Sequence, residues 1–149
     1  MKALALKMIA IVVVSIQSGS LTINTPVQKP NEEIINAKEI KIMSENVDKT
    51  ETYGEAVLNS EKPVLVEFYS TWCPPCQDMM PILEEYEKET EDVKVVKIDR
   101  EQNLELKEAL KIPSVPTILI IKDGKEIARE SREFDKEGLE EFVKTSLEK

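Results

Sequence analysis

Apolar residues first gather at Met8–Ile16, "MIAIVVVSI", and then recur in short runs whose spacing switches between about two and about 3.6 residues. "EIKIM" (39–43) puts Ile40 and Ile42 on one face and predicts a short strand. "TETYGEAVLN" (50–59) predicts a weak helix, weakened by Gly54. "PVLVEFY" (63–69) is nearly all apolar, the mark of a central strand covered on both faces. Over 74–90, Met79, Ile82, Leu83 and Tyr86 fall on one side of a helix and Glu84, Glu85 and Lys88 on the other, with Pro81 expected to kink it. "VKVVKID" (93–99) predicts a strand and "NLELKEAL" (103–110) a short helix. "TILIIK" (117–122) and "KEIARES" (125–131) flank Asp123-Gly124 and predict a hairpin. Leu139, Phe142, Val143 and Leu147 line one face of a last helix over 135–148. The order βαβαβαββα implies an α/β sandwich: a partly parallel sheet, helices on both faces and an antiparallel hairpin at the end.

The first apolar run belongs to a different kind of segment. Lys2 and Lys7 precede or border it, and small polar residues, "QSGS", follow it. Residues 1–20 therefore predict a secretory signal, cleavable after Ser20, or an N-terminal membrane anchor. Residues 21–38 carry two prolines and no sustained period, and predict a linker. Residues 39–149 remain for one domain, and 149 residues are too few for two well-filled cores. An extracytoplasmic location follows from this reading.

Beyond position 20 stand 18 Lys and Arg against 29 acidic residues, a net charge of −11. That surface repels nucleic acid and anionic lipid heads, so neither is expected as a partner. The chain has no histidine, which removes Cys-His and Ser-His catalysis and imidazole metal sites.

Both cysteines lie in "TWCPPCQ" (71–77). A zinc site needs four ligands, and one pair without histidine cannot supply them. A structural disulfide closing so short a loop would add little through chain entropy. A redox pair fits better. Cys73 stands where a helix begins, and the free N–H groups and dipole there favour an anion, making it the nucleophilic thiolate. Cys76, one turn deeper, is the resolving thiol, which closes the intramolecular bridge. Pro74 and Pro75 suit a first helical turn but remove two of the N–H groups that would stabilise the thiolate.

Residues 39–149 resemble thioredoxin. The resemblance rests on "VLVEFYSTWCPPC", Pro81, "SVPTILIIKDGKEI" and "LEEFV" in order. It implies a thioredoxin-like fold, a central mixed sheet flanked by four helices, and disulfide exchange without a cofactor, because the cysteines carry the electrons. Trp72 matches the tryptophan that helps to shape the docking surface, to which Pro74 also belongs. Pro116 matches the family's cis-proline, and the backbone of Val115 would pair with the substrate chain as a short added strand. Glu67 matches the buried acid beneath the cysteines, usually aspartate, and the resemblance implies that it relays the proton to and from Cys76. Two positions depart from the pattern. The lysine often found near that acid aligns with Val95, and Lys97, two residues on, is given no role. The glycine after the last strand aligns with Arg132.

An exported reductase of protein disulfides, acting as a monomer and recharged by a membrane electron donor, agrees with these features. A disulfide-introducing oxidase or isomerase is the alternative, although the helical insertion and intervening histidine common in such oxidases are missing. A binding or chaperone module would not need both cysteines, the proline and the acid together. A peroxidase would need a threonine context that is absent.

Overall fold

The computed structural model describes residues 37–44, 46–47 and 51–149. The expected signal or anchor (1–20) and all of the linker but its last two residues lie outside the described residues. Ala37, Lys38 and Glu39 form a single helical turn.

Four strands form the sheet: β1 Val64–Tyr69, β2 Lys94–Asp99, β3 Thr117–Lys122 and β4 Lys125–Glu130, in the order β2-β1-β3-β4. β1 pairs parallel with β2 and antiparallel with β3, and β3 pairs antiparallel with β4. The expected mixed sheet is therefore present, with β1 at its centre and every residue of that strand buried. Besides the turn at 37–39, four helical segments accompany it among the described residues: α1 Gly54–Leu58, which has π-helical bonding, α2 Pro74–Glu89, α3 Leu104–Ala109 and α4 Lys136–Leu147. α2 runs unbroken through Pro81, which is exposed.

Strand alternation sorts the core into two layers. Val64, Val66 and Phe68 of β1 face a cluster with Ala56 and Val57 of α1 and Leu106 of α3. Leu65 points the other way, into Met79, Leu83 and Tyr86 of α2 and Leu139 and Val143 of α4. Each face of the sheet is thus covered by two helices, as the continuous apolar run of β1 requires. At the β3–β4 turn Asp123 and Gly124 both have positive φ, 52° and 71°, the pair of values that an Asp-Gly hairpin supplies at least cost.

One element differs from its prediction. Residues 39–43 do not form a strand; Lys41 and Ser44 make only isolated bridges, to Thr52 and Ile98. Side chains replace the ladder there. Ser44 Oγ donates to the Lys97 carbonyl. Asn46 Nδ2 donates to the Val95 carbonyl at 2.8 Å, and Asn103 Nδ2 to the Met43 carbonyl at 3.1 Å. The Ser44 and Asn46 bonds occupy the β2 edge that a fifth strand would have used. The alternation of Ile40 and Ile42 was a true burial signal, since Ile42 is fully buried, but burial alone does not make a ladder.

Candidate active site

The two cysteines sit where β1 hands over to α2. Tyr69 ends β1, Ser70–Trp72 turn the chain, and Cys73 caps the helix in extended conformation, with its sulfur accepting from the Cys76 N–H at 3.3 Å. Pro74 and Pro75 occupy the first two helical positions. They contribute no donors, so Cys76 N–H is the first that the turn can offer, and it goes to the sulfur. Cys73 and Cys76 are joined as a disulfide, with Cα atoms 5.3 Å apart. Cys73 keeps a sliver of surface, while Cys76 is completely buried, which agrees with an outer and an inner sulfur.

The Val115–Pro116 peptide is cis. The Val115 carbonyl oxygen lies 3.8 Å from Cys73 Sγ, so this loop faces the outer sulfur. Pairing of β1 with β3 ends at Phe68 and Thr117, and the Val115 backbone therefore lies past the end of that ladder. Trp72 is 65% exposed, a large apolar surface left open beside the disulfide. Arg132 folds over the Phe134 ring, 4.0 Å from its centroid, with Glu130 Oε2 3.8 Å away. Its neighbour Ser131 shares a 2.9 Å hydroxyl contact with Thr117, the residue after the cis-proline, so Arg132 borders the same surface.

Glu67 lies below. It shares a β1 face with Leu65, which packs under α2, and with Tyr69, which clusters with both cysteines. Its residue is wholly buried, and neither carboxyl oxygen has a hydrogen-bond partner. Burial pushes its pKa up to about 8, and the Lys97 cation works against that rise. Lys97, not Val95, is the lysine beside the acid: the β1–β2 register pairs Glu67 with Lys97 and Leu65 with Val95. Lys97, given no role from the sequence, is thus the residue that the register brings to the acid. A signal was present, because Glu67 inside the apolar run "VLVEFY" and Lys97 in the middle of "VKVVKID" are opposite charges within buried strands, and such charges belong together. Among the described residues no group of three or more His, Cys, Asp or Glu is placed to hold a metal ion.

A mixed sheet covered by helices, with a CxxC disulfide at a helix N-terminus facing a cis-proline, defines the class. The chain belongs to the thioredoxin family, whose model, described as Thioredoxin, matches residues 44–145. Thioredoxin from Rickettsia bellii is 36% identical over 107 residues, 70% of this chain and all of that protein. "Thioredoxin Y, chloroplastic" from Oryza sativa subsp. japonica is 41% identical over 98 residues, 65% of this chain and 58% of that one. The chain spans about half the length of the chloroplastic relatives, down to 44% of "Thioredoxin Y1, chloroplastic" from Arabidopsis thaliana. The X-ray structure of Fasciola hepatica thioredoxin is similar at a TM-score of 0.55 and 31% identity, covering 63% of this chain and 86% of that one.

Proposed function

We propose that this protein is a thiol–disulfide oxidoreductase that reduces protein disulfides outside the cytoplasm. The observation that carries the chemistry is the Cys73–Cys76 disulfide, outer sulfur against the cis-proline loop, inner sulfur buried, on the strand face that holds a buried carboxyl. In the reduced protein the Cys73 thiolate attacks one sulfur of a substrate disulfide. A mixed disulfide forms and the first substrate thiolate leaves, to be protonated by water. Glu67 takes the proton of the Cys76 thiol, and Cys76 then attacks Cys73 Sγ. The second substrate thiolate leaves, and the Cys73–Cys76 disulfide remains. Two electrons pass from the cysteine pair to the substrate, with no cofactor needed.

Substrate docking falls to Trp72, Pro74 and the loop of Val115 and cis-Pro116. The Val115 backbone, beyond the β1–β3 ladder, offers a strand-like edge to an extended substrate chain. Recharging requires a dithiol donor, and outside the cytoplasm a membrane electron-transfer protein of that chemistry is the expected source. The basic, apolar and small-residue order of residues 1–20 supports export. Among the described residues no helix is long and apolar enough to cross a membrane.

Equilibration of the full chain with a glutathione redox series tests the direction of transfer. A potential near about −270 mV is expected of a reductase, and one near about −120 mV would make the protein an oxidase instead. A fusion of residues 1–38 to a reporter active only outside the cytoplasm tests the location, with activity expected; an inactive reporter made in full amount overturns the export reading.

A further inference from the structure

Lys97 stands next to Glu67 in the sheet, yet its ammonium turns elsewhere. The side chain is 7% exposed, and Nζ lies 3.9 Å from Oε1 of Glu84, whose own side chain is 56% exposed on the outer face of α2. Both Glu67 oxygens are left without a hydrogen bond. A buried cation thus reaches toward a surface carboxylate.

We propose that Glu84 is a positioning residue, which sets the protonation of Glu67 by drawing the Lys97 ammonium away from it. The inference rests on the reading of Glu67 as proton relay. Two carboxylates of opposite environment compete for one cation. Glu84 has solvent to stabilise its charge; Glu67 does not, and so keeps its proton when Lys97 is held off. Among the described residues the other groups around Glu67 offer no rival cation. β3 presents Ile118, its register partner, and α4 presents Leu139 and Val143. α2 presents Met79, Leu83, the Tyr86 phenol and Cys76, and Tyr69 follows on the same strand face. Lys97 is the basic residue that the β2 register brings alongside.

The position of Nζ therefore tunes the pH at which the resolving thiol can lose its proton. Without Glu84 the ammonium settles closer to Glu67, the carboxylate form gains, and proton acceptance extends to lower pH. The effect is modest, because one partner of the pair is exposed.

The test is an NMR titration of the oxidised full chain with isotope-labelled glutamate carboxyls, the Glu67 signal being assigned by its loss in Glu67→Gln. Glu84→Gln is expected to lower the Glu67 midpoint by about half a pH unit, about threefold in its ionisation constant. In a Lys97→Gln background the same change is expected to do nothing. A midpoint that stays or rises in Glu84→Gln overturns the proposal, and so does a shift that persists without Lys97, which would be a direct field effect. The pH profile of mixed-disulfide resolution is measured beside it. A midpoint that moves while the profile does not would uphold the Glu84–Lys97 coupling and overturn the relay role of Glu67.

Discussion

Glu67 retains its place in a buried strand by holding a proton. With pKa about 8 in the folded protein and 4.5 as the ordinary value, the unfolded chain loses this proton first as pH rises. Stability contributed by the neutral form is therefore complete below about pH 4.5 and lost progressively up to about pH 8. Between pH 6 and 9 the wild type should lose roughly 2–3 kcal/mol more than Glu67→Gln, by urea unfolding of the oxidised protein; parallel profiles would contradict the assignment. Resolution of the mixed disulfide should slow in the same variant. Pro74→Gly restores an N–H in the first turn, so the Cys73 thiolate should become more acidic, read by its ultraviolet absorbance. A higher pKa in the variant would show that loop stiffness, not donor count, controls the sulfur. At this scale the sequence made Cys73, Cys76 and Glu67 visible as chemical oddities in their surroundings. Lys97 was named but given no role, because its partner is fixed by strand register, which a single chain read linearly does not display.

Among the elements, α1 shows how a residue read as a weakness can be a requirement. Gly54 lowers helix propensity, yet a Cβ there would meet the Lys38 carbonyl oxygen and side chain well inside van der Waals contact. Gly54→Ala should cost about 1–3 kcal/mol, the range of overpacked or strained positions, as measured by thermal or urea unfolding. A neutral substitution would mean that the 37–39 turn shifts freely. α4 begins with Asp135, which accepts from the Gly138 N–H at 2.9 Å, and Asp135→Ala should cost about 1 kcal/mol in the same assay. Elements with strong periodicity were read nearly to the residue: β3 matches 117–122 and α2 matches 74–89 of the expected 74–90. The failure at 39–43 came from polar side chains, Ser44 and Asn46 bonding to β2 and Asn103 to Met43, and such bonds have no periodic signature.

The whole molecule places one small reactive patch on a strongly acidic body of net charge −9. The fold covers both faces of the sheet and leaves Trp72 exposed at the β1–α2 junction, where the disulfide faces the cis-proline loop. Order of elements and the CxxC pair made the sheet and the place of the disulfide legible in the sequence. The cis peptide was legible only through the family resemblance, since nothing in the residues 113–117 themselves demands it. At the centre of the account is the proposed division of labour, in which Cys73 attacks and Cys76 resolves. It is tested most directly by mixing reduced Cys76→Ser, and separately Cys73→Ser, with a protein disulfide substrate and weighing the products intact. A covalent adduct should accumulate on Cys73 in Cys76→Ser, and none should form in Cys73→Ser. Adducts of equal yield in both variants, or an adduct on Cys76 alone, would contradict it.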